Sequence, residues 1–127
     1  MNGPIGDDAP YTIIGTVIAK PSRREELARI LAAQVAPTRR EAGCINYDYH
    51  VDANDPCTFV FYENWRSKAD LDAHLAMPHL QPLFGRLGEL LAEPVDIRPL
   101  TMLSTRLAPT SSPTAGPDDS GNSETTP

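Results

Sequence analysis

Two segments, CINYDYHV and CTFVFYENW, stand on either side of the short polar run DANDP. This arrangement constrains the fold more than any other feature of the chain. Side chains that alternate between apolar and polar suit a half-buried β-strand, and Asp, Asn and Pro between two such runs supply a turn. The pair therefore predicts an antiparallel hairpin. Ile45, Tyr47, Tyr49 and Val51 share one face of the first strand; Phe59, Phe61, Glu63 and Trp65 share one face of the second. Pairing Val51 with Cys57 joins the tyrosines to the Phe/Glu/Trp face and puts Asp48 and His50 with Thr58, Val60 and Tyr62. A slip of one residue would reverse every side chain. Cys44 and Cys57 then begin opposite ends of the hairpin, roughly 20 Å apart at about 3.3 Å per residue. That is beyond disulfide reach, so both are expected as free thiols. No CxxC or Cys/His ladder suggests zinc.

Around the hairpin the pattern alternates between strand and helix. TIIGTVIAK is β-branched and apolar on both faces, as a doubly buried strand would be. Ser22 with Glu25 reads as a capping box for a helix whose stripe is Leu27, Ile30, Leu31, Gln34 and Val35, kinked at Pro37 and closed by a left-handed Gly43. After the hairpin, Ser67 with Asp70 caps a short helix with Leu71, His74 and Leu75 inward. Met77 is biased out of helix by Pro78, which suits the first turn of a third helix carrying Leu80, Leu83, Phe84, Leu87, Leu90 and Leu91. VDIRPLTML supplies the last strand, and Pro99 assigns it an edge or a bulge. The order β, α, β, β, α, α, β predicts an α+β, ferredoxin-like split βαβ fold: a four-stranded antiparallel sheet with helices on one face. The other face is also apolar in several strands, and a second copy of the chain would cover it.

The ordered unit is expected to span residues 11–105 of the 127. Residues 106–127 and 1–10 lack apolar periodicity and are read as a disordered tail and N-terminus. A formal net charge of −6 argues against nucleic-acid binding, which needs a basic footprint, and against a membrane-surface helix. No apolar run approaches the roughly 20 residues of a membrane span, and MNGPIGDDAP lacks the regions of a secretory signal. The expected location is cytoplasmic.

The chemistry concentrates in Glu63–Phe84, which holds the only tryptophan and two of the three histidines. His74 on the inward stripe is either a core histidine or a general base in a dry pocket. Glu63, mid-strand among aromatic residues, needs a partner such as His74 or Arg66, because an unpaired buried carboxylate is costly. Trp65 is either a core aromatic or a stacking wall, and Tyr47 and Tyr49 are half-buried strand tyrosines able to donate to a substrate oxygen. His74 and His79 with Glu63 would make a two-histidine-one-carboxylate metal set, with His50 near the strand end as a further candidate ligand. Nothing in the spacing demands it, and no metal is assigned. No phosphate loop, dinucleotide fingerprint or nucleophile elbow is present.

Glu63 to His79, ENWRSKADLDAHLAMPH, resembles the signature of antibiotic biosynthesis monooxygenase (ABM) domains, closest to their quinol monooxygenase branch, which shares E-x-W-x-S-x-x-x-L-x-A-H-L-x-x-P-H. RREAGCINY, residues 39–47, is similar to that branch's helix-to-strand corner, and the likeness covers residues 12–103. The resemblance implies a homodimeric α+β barrel. It also implies oxidation of a small quinol or hydroxyaromatic compound by O₂ without metal, flavin or haem, to a quinone. His74 would be the base, Glu63 its orienter, Trp65 the stacking wall, and His50, His79, Tyr47, Tyr49, Phe61 and Phe84 lining groups. Trp65 and His50 match positions of polyketide-tailoring members, but the Asn, Tyr and Arg of those members fall on Phe61, Leu71 and Phe84 here. The haem-degrading branch needs a histidine where this chain has Phe84, and an Asn that the first strand lacks. A non-catalytic dimeric binder of small hydrophobic molecules, or an isomerase of a small carbonyl compound, stand as alternative functions.

Overall fold

The computed structural model describes residues 9–105. The expected tail, 106–127, and residues 1–8 lie outside the described residues. Four strands, β1 (Tyr11–Ile18), β2 (Cys44–Asp52), β3 (Asp55–Trp65) and β4 (Asp96–Leu100), form one sheet in the order β2-β3-β1-β4. Every neighbouring pair is antiparallel. This is the expected ferredoxin-like α+β sheet, and β4, with Pro99, lies at its edge, where a missing backbone donor is tolerated.

The hairpin is tighter than its composition implied. Only Ala53 and Asn54 separate the strands, and Asp52 Oδ1 accepts from the Asn54 backbone N–H at 2.8 Å. Val51 consequently pairs with Phe59 rather than Cys57, and an irregularity between Val51 and Asp52 absorbs the difference. The slip is two residues, one full period of the pleat, so residues 46–51 keep their expected faces; a second irregularity between Cys44 and Asn46 sets Cys44 opposite Trp65 and leaves Ile45, expected inside, exposed. Tyr47 pairs with Glu63, Tyr49 with Phe61, and His50 with Val60 on the opposite face. Cys44 and Cys57 are free.

The helices depart more from the sequence reading. The first is divided into α1 (Arg24–Ala33) and α2 (Val35–Arg39), with Gln34 at the junction. Ser22 falls in a 3₁₀ turn and Arg23, without a side-chain cap bond, precedes α1, so the expected capping box does not form. Lys20 is extended and the 3₁₀ turn begins at Pro21, so Ser22 lies inside a turn and not at the start of α1. α3 (Lys68–Leu75) does start as expected, Ser67 Oγ accepting from the Asp70 backbone N–H at 3.1 Å. The third helix is broken into a 3₁₀ turn at Pro78–Leu80, α4 (Gln81–Phe84) and α5 (Leu87–Leu90). Periodic leucines are compatible with three short pieces when each buries its own residue: Leu80, Leu83 and Leu90. Gly43 is required for space and not for a left-handed turn, since a Cβ there would overlap Cβ and Cγ of Asp70.

Ile13, Val17, Phe59, Phe61 and Trp65 from the sheet meet Leu27, Leu31, Leu71, Leu83 and Leu90 from the helices in one core. Ile14, Thr16 and Val60 on the opposite face are only half-buried, and Tyr62 and Leu100 are exposed. β1 is thus fully buried on one face in the single chain. Among the described residues, no helix is long and apolar enough to cross a membrane.

Candidate active site

Three local devices converge on the inner face of the sheet. β3 delivers Glu63 and Trp65 two residues apart, on the same side of the pleat. Trp65 Nε1 donates to Glu63 Oε1 at 2.8 Å, and both side chains are buried. α3 delivers His74 beside Leu71, 3% and 5% exposed respectively. The His74 ring lies 4.6 Å from that of Trp65 and 5.5 Å from that of Tyr47, centroid to centroid. Met77, extended before Pro78, ends α3. On an unbroken helix, residues 74 and 79 would be about 140° apart; the break instead brings the His79 ring to 6.0 Å from that of His74.

The third device was not anticipated. The corner after α2 is held by Glu41 N–H to Thr38 C=O and Cys44 N–H to Glu41 C=O, at 3.0 and 3.1 Å. It points Glu41 inward, where Oε2 lies 2.9 Å from His74 Nδ1 and 2.9 Å from His79 Nε2. Gln34 Oε1 lies 2.7 Å from His79 Nδ1. Glu63 was expected to orient His74, but Glu41 holds that position and Trp65 takes Glu63. Adjacency along β3 decides this, because the indole N–H lies within reach of the Glu63 carboxyl before any helix docks. Gln34 and Thr38, four residues apart, were the available signal: polar residues inside an apolar helical stripe, both now buried. Thr38 Oγ1 makes no hydrogen bond of good geometry among the described residues, although it lies near the Tyr47 phenol.

Burial dominates the electrostatics. Glu63 is pushed up to about 7, first by desolvation and then by the nearby Glu41 charge, against the opposing Trp65 hydrogen bond. Desolvation holds the His74 imidazole below its usual range, with the Glu41 hydrogen bond pulling the other way. The Tyr47 phenol is raised by burial and then by Glu63, and so stays protonated. A neutral imidazole oriented by a carboxylate, beside a carboxyl that titrates near neutrality, can accept and return protons in a dry environment.

The remaining expected residues are spread more widely. Tyr49 and Phe61 stack at 5.0 Å on the inner face, next to Tyr47 at 5.0 Å from Phe61. Phe84 packs at the core margin. His50 is exposed on the other face of the sheet, its Nδ1 3.3 Å from Val60 O, and does not join the cluster. The conceivable metal set also changes: Glu41, not Glu63, stands with His74 and His79, their ligand atoms within 4.8 Å of one another. A hollow of about 450 Å³ lies at the strand ends among Tyr11, Arg66, Lys68, Pro99 and Met102, away from these residues.

Comparison with known proteins identifies the family and bears out the fold. Residues 10–84 match the family model described as antibiotic biosynthesis monooxygenase. The chain is 36% identical over 95 residues to "Putative monooxygenase Rv0793" of Mycobacterium tuberculosis, covering 75% of this chain and 93% of that protein. It is 33% identical over 93 residues to the uncharacterized protein sll1783 of Synechocystis, covering 73% of this chain but only 63% of that longer protein. The crystal structure of PA3566 from Pseudomonas aeruginosa superposes with a TM-score of 0.72 at 39% identity, covering 78% of this chain and all of that one (100%). The structure of Rv0793 gives 0.70 at 34% identity, covering 76% and 97%. The chain belongs to the antibiotic biosynthesis monooxygenase family.

Proposed function

We propose that the protein is a cofactor-independent monooxygenase that oxidises a small quinol or other hydroxyaromatic compound with O₂ to a quinone, working as a homodimer. The observation that carries this reading is the buried His74 imidazole, paired through Nδ1 with Glu41 and lying against the rings of Trp65 and Tyr47. Glu41 accepting from Nδ1–H leaves Nε2 with the lone pair of a base. Nε2 takes the phenolic proton, and the electron-rich anion gives one electron to O₂. The two radicals recombine at a ring carbon to form a ring-bound peroxide anion. Loss of that carbon's proton and cleavage of the O–O bond leave one oxygen atom in the quinone and release the other as water, to which the imidazolium returns its proton. Trp65 and the Tyr47/Phe61/Tyr49 stack supply the flat apolar wall.

The test is oxygen consumption by metal-stripped protein given reduced naphthoquinones or anthrones. Uptake is expected in the native chain and a loss of about 10²- to 10⁴-fold in His74→Ala, the usual contribution of a general base. Equal rates would remove His74 from the role. The pairing of a neutral imidazole with a carboxyl titrating near 7 also suits enolisation of a small carbonyl compound. Isomerisation without oxygen uptake would favour that reading, and ligand binding without turnover would favour a binder.

A further inference from the structure

The Glu41 carboxylate is buried and has no Lys or Arg partner among the described residues; its ion-pair partners are His74 and His79. The side chains are 8%, 4% and 24% exposed, so the group is shielded yet reachable through His79. A buried carboxylate needs a compensating positive charge. The surroundings of His79 sharpen the point. Its Nδ1 faces the Gln34 carboxamide oxygen at 2.7 Å, and its Nε2 faces Glu41 Oε2 at 2.9 Å. A neutral imidazole has one N–H for these two acceptors. With the proton on Nδ1 toward Gln34, Nε2 turns a lone pair toward a carboxylate oxygen. A cation between them would satisfy both atoms, whereas with the Gln34 amide turned over, Nε2–H would donate to Glu41 instead.

We propose that Glu41, His74 and His79 form a binding site for one divalent transition cation of the zinc type, with Gln34 holding the outer nitrogen of His79. Two imidazoles and a carboxylate are borderline ligands suited to zinc and its neighbours. The two ring nitrogens both lie 2.9 Å from Glu41 Oε2, so a cation placed between the three atoms reaches ligand distances of about 2.0–2.2 Å after small side-chain shifts. Three protein ligands leave a fourth position for water. The Gln34 carbonyl on Nδ1–H is the outer-shell contact that fixes a ligating histidine in the correct tautomer. Metal at His74 Nδ1 forces the ring proton onto Nε2, which removes the lone pair used as base. Bound zinc is therefore an inhibitor of the reaction proposed above; this consequence rests on that reading, whereas the site does not.

The experiment uses the full chain, stripped with a chelator and titrated with Co²⁺ as an optical probe, then with Zn²⁺ in competition. One equivalent of Co²⁺ is expected to bind with the visible ligand-field bands of a low-coordinate site and to be displaced by Zn²⁺. Ligating imidazoles must be neutral, so affinity weakens toward acid pH. His79→Ala and Glu41→Gln, checked for fold by circular dichroism, should lose at least about 10-fold in affinity, and Gln34→Ala about 10- to 100-fold. His50→Ala, on the far face of the sheet, should bind normally. Absence of saturable binding in the native chain would overturn the site. Undiminished binding in both His79→Ala and Glu41→Gln would overturn it as well. Oxygen uptake by the stripped protein separates the two proposals: zinc binding without any turnover sinks the monooxygenase reading alone, and turnover without zinc binding sinks the site alone.

Discussion

Replacing Glu63 with Gln should reshape how the stability of this protein depends on pH. The carboxyl is 6% exposed and titrates near 7 in the folded chain, against an ordinary value of 4.5. Its folded pKa is raised, so the native state holds more protons than the unfolded state between those two values, and stability falls as pH rises through that window. Below 4.5 the carboxyl is protonated in both states and costs nothing; above about 7 it is charged in both and the full penalty is present. The interval from 4.5 to about 7, at about 1.4 kcal/mol per pH unit, makes that penalty about 3 kcal/mol per chain. Gln keeps the shape and an oxygen for the Trp65 N–H but cannot titrate. Urea unfolding followed by Trp65 fluorescence, at fixed protein concentration from acid to mildly basic pH, compares the two chains. The native chain should lose about 3 kcal/mol relative to Glu63→Gln across the window and then run parallel to it. A constant offset for the amide does not affect this slope. Parallel curves throughout would refute the claim that burial, more than the indole hydrogen bond, governs this group.

Other consequences are local. Ser67→Ala removes a formed cap bond and should cost about 1 kcal/mol in urea unfolding, whereas Ser22→Ala should stay within about 0.5 kcal/mol, because no cap forms there. Gly43→Ala drives a Cβ into Asp70 and should destabilise by about 1–3 kcal/mol; an unchanged thermal midpoint would mean that the corner opens easily. Tyr62→Lys, in the middle of the outer sheet face and 41% exposed, should turn a dimer into a monomer in sedimentation velocity if that face joins two copies. A monomeric native chain would refute the dimer instead.

Period-two alternation and turn composition determined the hairpin, its facing and, with the flanking helical stripes, the antiparallel α+β topology. These signals are local and repeat over many residues, and a two-residue slip in register left residues 46–51 on their side of the sheet, with only Ile45 displaced by the second irregularity. The Ser67 cap was equally legible, since all its atoms lie within one turn. Partner choice was not. Glu63 could have met His74 or Arg66 as far as spacing showed, and the adjacent indole claimed it. Glu41, 33 residues from His74 and 38 from His79, reaches them only because a corner, a broken helix and a 3₁₀ turn are packed together. The break at Pro78 could be read from sequence, but its effect of folding His79 back toward His74 depends on where Leu80 and Leu83 find room in the core. A hydrogen bond needs its atoms within about 3 Å, and only the docking of helices onto the sheet decides which polar groups in the interior come that close.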